Sequence, residues 1–334
     1  MLEHGGRLQR AIEHYGIPRE AWLDLSSGIA PWPFPLAEIP PRAWARLPET
    51  EDGLEQAARA YYQVAQLLPV AGSQAAIQAL PRLRLRLRRR GTVAVVSPCY
   101  AEHAEAWRRA GHRVRELDEA EVEGQLDELD VLVLVNPNNP TARMLPRQTL
   151  LAWHARLSQR GGWLLVDEAF MDNTPAASIA ADSEREGLIV LRSFGKFFGL
   201  AGVRLGFVLA EPGLLRALAE EIGPWSVSGP TRILGEACLR DTAEQHAQTE
   251  RCARASARLA SLLSEAQLAP SAGCDLFQYL RHADAAAIHE FMARRGILLR
   301  LFEQPAGLRF GLPANEADWL KLAAALDAYR KEQA

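Results

Sequence analysis

An α/β architecture, a large domain with a mostly parallel sheet covered by helices plus a smaller α+β domain, is predicted by three features of this 334-residue sequence. The strand-like runs between Thr92 and Leu209 are apolar without alternation, as strands buried on both faces are. Helical stretches separate most of them, which is the rhythm of parallel crossovers. The polar residues Tyr100, Asn139, Asp167 and Lys196 each fall just past the C-terminal end of a predicted strand. In open parallel sheets that is the edge where ligands bind.

Taken in order, Arg7–Tyr15 reads as a helix and Trp22–Leu25 as a short strand. Ser26-Ser27-Gly28 then leads into Ile29–Pro35, where three prolines force an extended path. Gly53–Leu67 is helical, with Leu54, Ala57, Ala58, Tyr61 and Val64 along one face. After Leu68–Val70, Ala71-Gly72-Ser73-Gln74 opens a second helix running through Leu80. Glycine and serine at a helix start offer bare N–H groups, a positive dipole end and a hydroxyl, the makings of a phosphate cradle, although both are also ordinary there. The following PRLRLRLRRR, Pro81–Arg90, lacks interleaved aromatics that could stack on bases and reads as a solvated helix end passing into a loop.

Strands are then predicted at Thr92–Ser97, Val114–Leu117, Val131–Val135, Trp163–Val166, Leu188–Arg192 and Arg204–Leu209, with helices at Ala101–Ala110 and Thr149–Arg160. Beyond Pro212 come long helices, Leu214–Ile222 and Gly229–Ser264. An α+β segment follows, with strands at Leu276–Leu280, Leu298–Leu301 and Gly307–Leu312 and a helix at Ala283–Arg295. The expected division is an N-terminal arm over 1–40 completing the small domain, a large domain over 41–222 and the small domain over 223–334.

With 48% hydrophobic residues the chain can bury a large core. Its net charge of −3 gives no general attraction to nucleic acid or membrane. Cys99, Cys238, Cys252 and Cys274 have no metal-ligand spacing, so no metal is expected and a reduced compartment is. The opening MLEHGGRLQR lacks the apolar stretch of a signal peptide and no run approaches membrane-spanning length, so a soluble, cytoplasmic protein is expected.

The stretch LIVLRSFGKFFGLAGVRLGF, Leu188–Phe207, holds the most informative residue. Only Lys196, Lys321 and Lys331 are lysines, so 35 of the 38 basic residues are arginine, yet one lysine sits among aromatics in a loop between apolar runs. Either its stem packs there while its amine reaches solvent, or a desolvated amine is wanted for Schiff-base chemistry, which arginine cannot perform. At the other end, His4-Gly5-Gly6 offers an imidazole and bare N–H groups to an anion, unless it is simply a frayed terminus.

Asn136–Thr141 (NPNNPT), Asp167–Phe170 (DEAF), Ser193–Lys196 (SFGK) and Gly202–Gly206 (GVRLG) together resemble, in order and spacing, the fold-type I pyridoxal-phosphate enzymes of the class I/II aminotransferase family. The resemblance runs through nearly the whole chain. It implies pyridoxal 5'-phosphate as cofactor, held covalently by Lys196, with Asp167 pairing the ring nitrogen, Tyr100 stacking on the ring and Asn139 bonding the ring oxygen. It further implies that Gly72, Ser73, Gln74, Ser193 and Arg204 hold the cofactor phosphate.

Histidinol-phosphate aminotransferases share these motifs. The N-terminal HGG, the D-x-S-x-x-I-x-P pattern of Asp24, Ser26, Ile29 and Pro31, and Trp225-Ser226-Val227 are more similar to the threonine-phosphate decarboxylases of cobalamin biosynthesis. That branch implies a homodimer acting on a small phosphorylated amino acid, with His4, Gly5, Ser27, Gly28, Asn139, Arg300 and Arg309 on the substrate. Arg300 and Arg309 would take its phosphate and α-carboxylate. Three positions depart from the family pattern: Gly195 stands where serine or threonine precedes the lysine, Phe170 where tyrosine is common, and Leu47 where R-Y-P carries tyrosine.

Overall fold

The computed structural model describes residues 5–333, and the chain divides into two compact units. The larger comprises 34–139 and 144–246, the smaller 1–33, 140–143 and 247–334.

The described residues of the larger unit form a seven-stranded sheet in the order Leu68–Val70, Gly206–Leu209, Leu188–Ser193, Trp163–Asp167, Val131–Val135, Thr92–Val96, Arg113–Leu117. Gly206–Leu209 runs antiparallel to both neighbours, and the pairs from Leu188–Ser193 to Arg113–Leu117 are parallel. The unbroken apolar runs have the expected cause. Val131 and Val133 enter the core on one face, with Leu165, Ile189 and Leu191. Leu132 and Leu134 enter the core on the other, with Leu164, Val166 and Val190. Each fully buried aliphatic side chain contributes about 1.5–3 kcal/mol, so the two cores together fix strand order and register.

Helix Ser73–Leu87 runs straight through Pro81 into the arginine-rich stretch, which corrects the expected end at Leu80. Helical periodicity, not strand-like alternation, sorts these residues: Leu80 and Leu83 are buried while Leu85 and Leu87 are exposed. Arg84 lies over the Trp163 ring and donates from Nη1 to the Gly161 carbonyl at 3.0 Å. The long helix expected over Gly229–Ser264 is two, Gly229–Arg240 and Thr242–Glu265. The first belongs to the larger unit, which extends to 246 and not to the expected 222. Arg232 bonds Asp52 at 2.6 Å and Glu55 at 2.6 Å, and Gly235 faces Leu205 and Leu54.

The smaller unit contains a four-stranded antiparallel sheet in the order Arg300–Glu303, Ala306–Gly311, Phe277–Arg281, Ala272–Cys274. Leu23–Asp24 pairs in parallel with Ile297–Leu298. Helices Leu8–Tyr15, Ala285–Ala293 and Glu316–Gln333 complete it, together with most of Thr242–Glu265. No helix among the described residues is long and apolar enough to cross a membrane.

Candidate active site

In the larger unit the parallel strands end on the residues singled out above. Asp167 is the last residue of Trp163–Asp167 and only 3% exposed. Its Oδ1 accepts the Ala169 N–H at 3.0 Å and its Oδ2 faces His103 Nε2 at 2.9 Å. A carboxylate only accepts, so with Asp167 ionised the imidazole carries its proton on Nε2. His103 comes from helix Glu102–Arg109 and is 1% exposed. Sequence reasoning missed it. The available signal was its position three residues after Tyr100, which puts both on one side of a helix start.

Tyr100 lies beside His103, ring centroids 6.1 Å apart, and donates its hydroxyl to Gln74 Oε1 at 3.2 Å. Burial first, then the charges of Glu102 and Asp167, pushes its phenol up to about 12, so it stays a neutral donor. Gln74 is held in turn by Glu102 Oε2, which accepts from its Nε2 at 2.9 Å.

Gly72 and Ser73 stand at the start of helix Ser73–Leu87, where N–H groups and the dipole favour an anion. Gly72 has φ +74, and a Cβ on it would lie 2.5 Å from Arg204 Nη2. A Cβ on Gly206 would lie 2.5 Å from the Ser73 nitrogen. Arg204 itself adopts the left-handed region, φ 57, and donates to the Ala201 carbonyl. Ser193 ends its strand opposite Gly206. Bare backbone, a helix start, hydroxyls and a guanidinium therefore crowd one corner. This donor set fits the phosphate of the cofactor that the resemblance implies, and two of its walls exist only because glycine stands there.

Lys196 lies in the short turn of helix Phe194–Phe197, its Nζ 5.7 Å from the centre of the Phe170 ring. The aromatics around it are an anchor. Phe194 stacks on Phe198 at 4.3 Å, Phe34 meets Phe198 at 4.8 Å and Phe197 at 5.8 Å, and all four rings are buried. Gly195 has a steric reason: a Cβ there would lie 2.7 Å from the Ala201 Cα. Beneath the site, Arg192 bonds Glu168 at 2.8 Å and Asp172 at 2.9 Å, all three buried. Because Arg192 precedes Ser193 and Glu168 follows Asp167, this triad ties together the strand ends carrying Lys196 and Asp167. Asn139 lies in the loop after Val131–Val135 and is half-buried; its neighbour Asn138 donates to the Pro98 carbonyl at 2.8 Å.

The remaining predicted residues are in the smaller unit. Arg309 is buried and donates from Nη2 to the Ser26 carbonyl at 2.8 Å. Burial, with the like charge of Arg300 adding to it, pushes its guanidinium down to about 10. A charge held this way gains from an anionic partner. Arg300 stands directly opposite Arg309 in the antiparallel register. Ser26 Oγ accepts the Gly6 N–H at 2.8 Å and donates to Asp24 Oδ1 at 2.6 Å. Gly5 packs so closely on the Ser26 carbonyl that a Cβ would collide with it, and Gly311 likewise leaves no room for a Cβ against the Ser27 carbonyl. Gly28 is buried and Ser27 half-buried in the same segment. His4 lies outside the described residues.

Residues 42–326 match the family Aminotransferase class I and II, and the chain belongs to that family. It is 62% identical over 331 residues to the threonine-phosphate decarboxylase of Pseudomonas aeruginosa, covering 99% of each chain. It is 42% identical over 331 residues to a threonine-phosphate decarboxylase of a Sinorhizobium species, covering 97% of each. The solved structure of histidinol-phosphate aminotransferase from Sinorhizobium meliloti, in complex with pyridoxal-5'-phosphate, superposes with a TM-score of 0.81 over 100% of this chain and 96% of that one. At 21% identity that likeness establishes the fold.

Proposed function

We infer that this chain decarboxylates L-threonine O-3-phosphate to (R)-1-aminopropan-2-ol O-2-phosphate with pyridoxal 5'-phosphate as cofactor. The observation that carries the inference is the 62% identity, maintained over the whole chain, to a threonine-phosphate decarboxylase. When bound, the cofactor supplies a carbonyl that condenses with amines and a ring that accepts the electron pair freed at Cα.

The chain's own residues prepare that chemistry. Lys196 would be the amine that holds the cofactor, and its amino group would be the one placed to return a proton to Cα. Asp167, oriented by His103, keeps a proton on the ring nitrogen; Tyr100 covers the ring face and Asn139 bonds its oxygen. Gly72, Ser73, Gln74, Ser193 and Arg204 hold the cofactor phosphate. On the substrate side Arg309 takes the α-carboxylate and Arg300 the phosphate, with His4, Gly5, Ser27, Gly28 and Asn139 completing the contacts. Anchoring both anionic ends sets which Cα bond stands perpendicular to the ring, and so whether CO₂ or a proton leaves. The reaction is placed in the cytoplasm, in supply of the cobalamin nucleotide loop. A homodimer is proposed from Leu36, Trp44 and Leu47, large apolar residues left 69%, 70% and 63% exposed on the larger unit.

The test is CO₂ release from L-threonine O-3-phosphate by the cofactor-loaded protein, with Lys196→Ala as control. Release by the wild type alone supports the assignment. Absence of CO₂, with amino transfer from histidinol phosphate to 2-oxoglutarate, would make the protein an aminotransferase instead.

A further inference from the structure

Helix Glu102–Arg109 starts two residues after Tyr100, and its first turn meets the site at two points. His103 reaches Asp167, as described above. Glu102 reaches the helix Ser73–Leu87, where its Oε2 accepts from Gln74 Nε2 at 2.9 Å and from Gln78 Nε2 at 3.1 Å. The two glutamines are four residues apart and so lie on one face of that helix. Chemistry fixes the direction of each bond. A carboxylate only accepts, so both glutamines turn their NH₂ groups to Glu102. Gln74 then presents its oxygen to Tyr100, and an amide oxygen also only accepts. The Tyr100 hydroxyl must therefore give its one proton to Gln74 Oε1, 3.2 Å away. Burial first, then the charge of Glu102, keeps that proton on the phenol. The ring itself meets His103 nearly at right angles, with 86° between the planes. Tyr100 is thus fixed at its hydroxyl by Glu102, acting through Gln74, and along its ring by the residue next to Glu102.

We propose that Glu102 is a positioning residue: by orienting the Gln74 amide it directs the Tyr100 hydroxyl into the protein and holds the ring ready to cover the cofactor. A neutral amide in its place could present either end to Gln74, and the Tyr100 hydroxyl would lose its single direction. The same bond takes Tyr100 out of the acid–base chemistry, because its only proton is committed to Gln74. The proposal rests on the reading that Tyr100 covers the cofactor ring, and does not depend on which phosphorylated amino acid is the substrate.

The test is a double-mutant cycle on the cofactor-loaded enzyme, with Glu102→Gln, Tyr100→Phe and the two combined. Glu105→Gln, in the same helical turn and paired with Arg109, is the control. Two readouts are taken: the visible circular dichroism of the bound cofactor, which reports how its ring is held, and the rate of cofactor release on dilution. Glu102→Gln and Tyr100→Phe are each expected to alter the dichroism and to speed release about 3- to 30-fold, and the control less than about 2-fold. The two effects should not add. Glu102→Gln on top of Tyr100→Phe should change release by less than about 2-fold, because the hydroxyl through which it acts is gone. If Glu102 only braces the two helices, it will speed release equally in both backgrounds, and that result overturns the proposal. Glu102→Gln behaving like the control, or Tyr100→Phe behaving like wild type, overturns it as well. Tyr100→Ala with unaltered dichroism would remove Tyr100 from the cofactor and the proposal with it. Neither readout needs turnover, so a loaded enzyme that releases no CO₂ from L-threonine O-3-phosphate would overturn the substrate assignment while leaving this test decisive.

Discussion

Replacing Gly195 by serine would restore the residue type that the family pattern puts before the lysine. Motif logic predicts a gain, since a hydroxyl there could add a contact to the cofactor phosphate. The packing predicts a loss. The new Cβ would lie 2.7 Å from the Ala201 Cα and 3.3 Å from its Cβ, whereas carbon atoms rest at about 3.5–4.0 Å. Ala201 cannot swing aside as the tip of a flexible side chain would, because the clash is with backbone. The turn Ala201–Val203 or the Lys196 segment must shift instead, and forced shifts of this kind cost about 1–3 kcal/mol. If the strain falls on the cofactor-bound form, affinity drops by roughly 5- to 150-fold. If it falls on the whole fold, the melting temperature drops by about 1.5–4 °C in a chain of this size. Cofactor titration of Gly195→Ser beside wild type, with thermal melts of both forms, separates the two. A variant that melts at the wild-type temperature and binds the cofactor more tightly would refute the steric reasoning.

Replacing His103 with leucine leaves Asp167 Oδ2 buried without that partner, at a cost of about 1–3 kcal/mol; we expect a lower melting temperature and slower turnover, and unchanged turnover would remove His103 from the positioning role. Arg192→Met leaves Glu168 and Asp172 buried without their cation, so the urea midpoint should fall by the equivalent of about 3–5 kcal/mol; a loss below about 1 kcal/mol would show that the triad does not hold the strand ends. Stability should also fall as pH rises above about 9. Burial pushes the Cys99, Cys238 and Cys274 thiols up to about 12 from an ordinary 9.0, so the folded chain keeps protons that the unfolded chain releases. Each such group removes up to roughly 1.4 kcal/mol per pH unit between those values, with Tyr100 joining above about 10. Thermal melts from pH 8 to 10.5 check this, and a flat profile would count against it.

How much could be read without coordinates differs from residue to residue. Asp167 and Lys196 were legible because strands buried on both faces leave an unbroken apolar signature, and a polar residue at its end is conspicuous. His103 was not, since one histidine on an apolar helix face has many ordinary explanations and its partner lies 64 residues away in sequence. The helix through Pro81 was hidden because proline normally ends the pattern, while Leu83 and Arg84 could be placed inside only once the third dimension was known. The break at Asp241 did have a local sign. Asp241 accepts the Glu244 N–H, an N-terminal cap that helical periodicity across the junction concealed. Gly195 looked like a missing contact in the motif; only the neighbouring turn explains it as a fit.

The parallel pairing of Leu23–Asp24 with Ile297–Leu298 places the two ends of the chain in one unit and everything between 34 and 246, apart from 140–143, in the other. Synthesis proceeds from the N-terminus, so the larger unit can close while residues 247–334 are still being made. Leu23–Asp24 leaves the ribosome before the larger unit and meets Ile297–Leu298 only after it. A chain clipped before Arg300 would therefore retain Lys196 and the helix start at Gly72 and Ser73 while lacking Arg300 and Arg309, so the substrate contacts proposed for these two arginines wait on residues made after the larger unit.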